Sequence, residues 1–336
     1  MKLLGQKYFL LLILLLFIKI KINSQQFTVL SQTNTNGYIL NPAFAGYDGR
    51  TSINFLARKD YIGFYENTPQ TFSFNFHTRI LKSKRDVKLL SSGKRILKEP
   101  TSGRVGFGGG IFDDENSAIR RLSLNFTYAY HIFIRNSQLS FGLSGLITQF
   151  NINKEKAVLK NPEEDPLYGL IGKTTFIPDA SLGINFITYK YQIGFSVSQI
   201  FQSKIKIISN NEFSGSKDVR LKRYFCVIAS YNDYFKYNPQ WEYNLEFILR
   251  SNDYLYSVSD FILKFNYKQE YWFGMSYRTN NTLIFHLGTK VHRLYFGYSF
   301  DYGFNTLSRY SKGSHEILVS YKIGDTARRY RWLERY

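Results

Sequence analysis

The 336-residue sequence contains one cysteine, Cys226, so no disulfide can form within the chain and no cross-link contributes to its stability. Proline is also scarce, at 7 residues, which suits a chain of long laddered strands in which each proline would remove a backbone donor. Acidic residues are few: 25 against 44 basic ones, a formal charge of +19. The longest apolar run, Tyr8 to Ile18, falls well short of the roughly eighteen residues that a membrane-spanning helix needs. A helical membrane protein is therefore excluded, and any crossing must be made by strands. The metalloprotease pattern HExxH and the esterase pattern GxSxG are both missing. The sequence offers no framework for an enzyme.

What the chain does have is alternation. From Arg120 to Arg135, Leu122, Leu124, Phe126, Tyr128, Tyr130, Ile132 and Ile134 share one parity, while Ser123, Asn125, Thr127 and His131 occupy the other. A period of two puts the large apolar groups on one face, as a strand between lipid and a wet lumen requires. A soluble sandwich strand rarely keeps this pattern for fifteen residues. Counting such segments gives fourteen strands, near 50–59, 69–82, 103–113, 120–134, 137–151, 177–188, 191–200, 221–231, 238–250, 254–267, 270–278, 281–289, 294–301 and 314–323. The expected fold is all-β: a transmembrane antiparallel β-barrel whose even strand count lets the first and last strands pair. Aromatics at 18% supply the lipid-facing band and its girdles.

The N-terminus specifies the compartment. Lys2 and Lys7 precede the apolar run, and a polar stretch ending at Asn23-Ser24 follows it, so residues 1–24 read as a cleaved signal peptide. Removing it leaves 40 basic against 25 acidic residues. Nucleic acid is not expected as a partner of an exported chain that lacks a compact basic-aromatic motif; anionic lipid, cell-wall polymer or an acidic protein fits better. The expected division is residues 25–49 as a periplasmic or lumenal segment, 50–323 as the barrel and 324–336 as a basic periplasmic tail.

Loop lengths orient the barrel, because such proteins have short periplasmic turns and long external loops. Asn136, Tyr189-Lys190, Lys268-Gln269 and Lys290 to Arg293 read as periplasmic turns; 152–176, 201–220 and 302–313 read as external loops. One connection breaks the rule. The stretch from about Ser83 to Ser102 falls on the periplasmic side yet is long, and Lys82 to Arg104 holds eight basic residues against Asp86 and Glu99. It reads as a docking element, a solvated tether, or an external loop displaced by a miscounted strand. The tail, DTARRYRWLERY, interleaves Arg328, Arg329, Arg331 and Arg335 with Tyr330, Trp332 and Tyr336, as an interfacial anchor or a partner-binding peptide would.

Ahead of the first strand lies YILNPAFAGYDG, residues 38–49. Pro42 bars Asn41 from helix, Gly46 and Gly49 permit tight turning, and Phe44 is an apolar anchor between two alanines. A turn packed against the barrel mouth or lumen is expected. This Asn41 to Gly46 wording resembles the N-terminal motif of the PorP/SprF family of the type IX secretion system. Arg58, Tyr61, Gly63, Phe64, Pro69 and Thr71 follow in the family's order, with Tyr61 where tryptophan is usual and Asp60 where glutamine is common. Near the other end, Asp301-Tyr302, Leu307, Tyr310 and Gly313-Ser314-His315-Glu316-Ile317 are similar to the family's last hairpin.

The resemblance implies a non-catalytic outer-membrane component needed for export or surface attachment of specific cargo, such as large adhesins of gliding or adhesion. Its implied partners are the C-terminal domain of that cargo, the periplasmic secretion ring or peptidoglycan-linked components, and outer-membrane lipid. The candidate partner-contacting residues are Asn41, Pro42, Phe44 and Gly46, Lys88 and Arg95 in the basic connection, and Arg331 and Trp332 in the tail. A passive porin or hydrophobic-solute channel is the alternative. No cofactor or metal is expected. Asp113 to Asn116 and Glu163 to Asp165 read as solvated acidic loops without the spaced ligands of a calcium loop. His315 and Glu316, as strand neighbours, point to opposite faces and do not form a catalytic pair. Gly106, Gly108, Gly109 and Gly110 lie in a strand, where they allow curvature or close approach of lumen material.

Overall fold

The computed structural model describes residues 29–33, 35–63, 68–80, 104–153, 156, 174–203, 221–253, 257–304 and 306–324. They form a closed barrel of fourteen antiparallel strands, each paired with its sequence neighbour. The strands are β1 (Thr51–Lys59), β2 (Gln70–Ile80), β3 (Val105–Asn116), β4 (Ile119–Ile134), β5 (Ser137–Ile152), β6 (Thr174–Ile187) and β7 (Tyr191–Ser198). The second half comprises β8 (Tyr224–Phe235), β9 (Asn238–Asn252), β10 (Ser257–Tyr267), β11 (Tyr271–Arg278), β12 (Thr282–Val291), β13 (Leu294–Gly303) and β14 (Ser314–Ile323). The seam closes between β1 and β14, from Thr51 opposite Ile323 to Lys59 opposite His315. Closure leaves no unpaired edge, which a bilayer demands.

The alternation read from the sequence is the wall. In β4, Leu124, Phe126 and Tyr128 face outward and are exposed, whereas Thr127, Ala129 and His131 are buried inside. The outward residues make a continuous apolar band, with Phe72, Phe74 and Phe76 of β2 and Phe285 and Leu287 of β12 among them. Pro178 in β6 lies beyond Ser181, where pairing with β7 stops, so it does not interrupt that ladder.

The connections define two ends. At the end where Thr51 and Ile323 meet, hereafter the turn end, β4–β5, β6–β7, β8–β9, β10–β11 and β12–β13 are joined by two or three residues each. The loop end carries the long connections. The fourteen-strand count holds, and Ile80 pairs with Val105 at the turn end. The connection between them therefore leaves and returns there, and a miscounted strand does not explain its length.

One expectation fails. Asp113 to Asn116 is not a loop: β3 runs on through Asn116 and turns at Ser117-Ala118 into β4. Cross-strand ion pairs make this possible, Asp113 with Arg120 at 2.6 Å and Asp114 with Arg121, while Lys156 meets Glu115 at 2.8 Å. The other acidic cluster, Glu163 to Asp165, lies outside the described residues, as do the signal peptide, Lys88, Arg95, Arg331 and Trp332.

Candidate functional site

The lumen holds the protein's own N-terminal segment. Leu30 sits among loop-end residues of β9 and β11, and Arg50 leads into β1 at the turn end, so the described residues 29–33 and 35–50 span the height of the barrel. Two sets of contacts hold this segment.

The first set surrounds Asn41 to Tyr47. Pro42 starts a 3-10 turn, Pro42–Phe44, and Asn41 caps it, its side-chain oxygen accepting from the Ala43 amide at 2.9 Å. The same side chain donates to the carbonyls of Ile184 and Phe195, at 3.0 and 3.2 Å, and so ties the turn to β6 and β7. The wall beneath is glycine. A Cβ on Gly142 would collide with the backbone of Pro42 and Ala43, one on Gly183 with the Asn41 side chain, and one on Gly106 with the Ala45 carbonyl. A Cβ on Gly108 would come within 2.9 Å of the Tyr38 ring. Close approach of the segment accounts for Gly106 and Gly108 of β3, while Gly109 and Gly110 abut the neighbouring strands at Phe76 and Asn75.

Lumen side chains then satisfy the backbone of this turn. His131 Nε2 donates to the Ala45 carbonyl at 3.0 Å, which fixes the tautomer and leaves Nδ1 to accept from Ser140 at 2.8 Å. The Gly46 amide donates to His77 Nδ1 at 3.2 Å, and Arg79 and Gln138 both donate to the Tyr47 carbonyl, at 2.5 and 3.0 Å. Gly46 has φ +67°, and a Cβ there would press on the Thr78 carbonyl. Phe44 packs edge-on to Tyr47, with ring centroids 4.9 Å apart, in a buried cluster with Tyr38, Ile187, Ile228 and Ile248. Asn41, Pro42, Phe44 and Gly46 are thus all buried against the barrel wall.

The second set is ionic and lies at the loop end. Arg58 of β1 bridges Asp301 of β13 at 2.9 Å, Glu316 of β14 at 3.0 Å and Asp60 at 2.7 Å. Arg278 of β11 bridges Asp301 at 3.3 Å and Asp260 of β10 at 2.8 Å, and Asp260 also pairs with Arg250 of β9 at 2.8 Å. The N-terminal segment runs through this network. Glu316, fully buried, accepts from the amides of Ser31 and Gln32 at 2.9 and 2.6 Å, and the Ser31 hydroxyl donates to Asp301 at 2.8 Å. Arg58 and Arg278 donate to the same hydroxyl oxygen, at 3.0 and 3.3 Å.

The two stretches that carry the family resemblance meet here. Ile62 and Gly313 are joined by a 2.9 Å backbone bond, Lys312 returns one to Ile62 at 2.7 Å, and the Tyr61 amide donates to Ser314 at 3.3 Å. His315 points outward and bonds Tyr298 at 2.6 Å, so it and the inward Glu316 do not share a face. Sequence reasoning missed Arg250, Asp260 and Arg278. Arg278 is the one charge of β11, at its loop-end terminus, whereas Arg250 and Asp260 share their lumen parity with Glu242, Glu246 and Lys264 and so do not stand out. Above the segment, a cavity of about 170 Å³ is lined by Tyr38, Leu40, Asn75, Asn125, Thr148 and Asp179. Among the described residues, no cluster of His, Cys, Asp or Glu is arranged to hold a metal ion.

Fold and site together define an outer-membrane β-barrel whose lumen is occupied by its own N-terminal segment. The model of the type IX secretion system membrane protein PorP/SprF family matches residues 22–321, and the chain belongs to that family. The protein is accordingly an outer-membrane component of type IX secretion. No curated protein sequence matches the chain. Among solved structures it is similar to a mutant of TodX, a monoaromatic hydrocarbon channel, at 10% identity and TM-score 0.44, over 85% of this chain and 94% of that one. A FadL homologue of Pseudomonas aeruginosa follows, at 8% identity and TM-score 0.41, over 84% and 91%. CdiB from Acinetobacter baumannii shows 7% identity and TM-score 0.40, over 81% and 60%.

Proposed function

We propose that this barrel is a non-catalytic partner in the export or surface attachment of a specific secreted cargo, such as a large adhesin. The observation that carries the reading is the occupied lumen. A general porin keeps a water-filled channel, whereas here residues 29–33 and 35–50 lie in the interior and are bonded to β1, β6, β7, β9, β11, β13 and β14. We place the cargo's C-terminal domain at the loop end, where the cavity floored by Tyr38 and Leu40 lies. The strands that flank the long basic connection, and the strand that precedes the arginine-rich tail, end at the turn end, and we assign to these two basic stretches contacts with the periplasmic ring or with peptidoglycan-linked components.

Deleting the gene tests the reading. One or a few proteins should disappear from the cell surface while general outer-membrane permeability stays unchanged. An unaltered set of surface proteins, together with lost uptake of a small solute, would replace the proposal with a channel. Cross-linking from Lys88 or Arg331 should capture periplasmic proteins, and adducts confined to external material would reverse the assigned faces.

A further inference from the structure

Each of the six turn-end connections contributes a basic residue: Arg104, Arg135, Lys190, Lys236, Lys268 and Arg293. The acidic residues beside them are Asp233 and Glu270, and Asp233 pairs with Lys190 at 2.6 Å, holding that ammonium above its ordinary pKa through the hydrogen bond. The loop end is different. Several of its charges are paired with the opposite sign, as in Asp113–Arg120, Asp114–Arg121 and Lys156–Glu115.

The basic residues stand beside tyrosines at the rim of the apolar band. Tyr189, Tyr191, Tyr237 and Tyr271 are exposed at this end, Tyr237 at 94%. Lys236 lies 5.9 Å from the Tyr237 ring centroid and Lys268 5.2 Å from that of Tyr267. The lipid-facing rings of Phe235, Phe265 and Phe273 stack beside them, with centroids 6.3 and 5.3 Å apart. An amphipathic ring with an ammonium on a flexible stem is the arrangement that settles at headgroup level, with apolar parts in hydrocarbon and polar ends among phosphates.

We infer that this collar binds the phosphate headgroups of anionic phospholipids in the periplasmic leaflet. The even spacing favours lipid over an acidic protein. One basic residue per hairpin around the whole circumference matches a ring of small headgroups, whereas a protein partner needs one contiguous patch. Attraction of a basic residue to an anionic leaflet corresponds to about fivefold in partitioning, so three residues give on the order of a hundredfold.

The test uses the full chain purified in detergent, titrated with dioleoyl phosphatidylglycerol or dioleoyl phosphatidylcholine and read as retained lipid by native mass spectrometry. The wild type should retain phosphatidylglycerol preferentially. The combined variant Lys236→Gln, Lys268→Gln, Arg293→Gln should lose that preference while keeping the gel mobility of a folded barrel. The loop-end variant Lys59→Gln, Lys222→Gln should keep it. Equal retention of the two lipids by the wild type, or undiminished phosphatidylglycerol binding by the folded triple variant, would overturn the inference. So would tight binding of polyglutamate without any lipid preference, which would reassign the collar to an acidic polypeptide.

Discussion

The two ends of the lumenal segment are held by different physics. At Leu30 to Gln32 the grip is charge: a network of three arginines and four carboxylates holds two amides through Glu316, the Ser31 hydroxyl through Asp301, Arg58 and Arg278, and the Leu30 carbonyl through Arg250 and Arg278. At Asn41 to Tyr47 the grip is mainly shape: glycines clear a bed, a proline turn fills it, and neutral side chains, two histidines and Arg79 satisfy the backbone. The difference teaches what each end tolerates. A buried ionic network loses most when one member is removed, because the others stay charged in a low-dielectric site. A steric bed loses most when something is added.

The largest break is therefore expected at the ionic end. Arg58→Met removes the ion-pair partner of Glu316 and Asp60 and one of the two that hold Asp301, and should lower unfolding free energy by about 3–5 kcal/mol, read as an earlier denaturant midpoint in detergent. A midpoint within error of wild type would refute the claim that this network clamps the segment. Phe44→Ala comes next. It empties a buried ring site and should cost about 3 kcal/mol, with loss of the Tyr47 edge contact visible by near-ultraviolet circular dichroism. Gly142→Val acts in the opposite sense, adding bulk under Pro42 at a cost of about 1–3 kcal/mol. Its signature is positional: limited proteolysis should cut near residues 41–46 in the variant and spare the wild type. Asp113→Asn supplies the contrast, since its partner Arg120 is largely exposed; the change should cost under about 1 kcal/mol, and a larger loss would mean that the loop-end rim is more rigid than its exposure implies.

Much of this architecture could be read before the structure. The wall was legible because lipid on one side and a polar lumen on the other impose a strict period of two, so Phe126 and Thr127 announce their faces without reference to any partner. The rim was less so. Asp113 to Asn116 looks like a loop because charged residues normally are, but beyond the lipid band a strand is free to carry charges if the next strand answers them, as Arg120 and Arg121 do. The glycine bed was half visible: Gly106 and Gly108 stood out as a site of close approach, while Gly142 and Gly183 look like ordinary strand glycines until Pro42 and Asn41 rest on them. The ionic clamp was the least legible part. Arg58, Asp301 and Glu316 stood in the motifs, yet Arg250, Asp260 and Arg278 lie on the three consecutive strands β9, β10 and β11, and only barrel closure carries the network on from Asp301 to Arg58. Sequence spacing carries no trace of that, because the closing contact joins residues about 250 positions apart.

The central claim is that a barrel filled by its own N-terminal segment serves as a secretion partner and not as a pore. Ion conductance of the purified protein in planar bilayers tests it most directly. The wild type should insert without steady conductance, and Gly142→Val, which lifts Pro42 off its bed, should conduct. A stable open channel in the wild type at neutral pH would contradict the account.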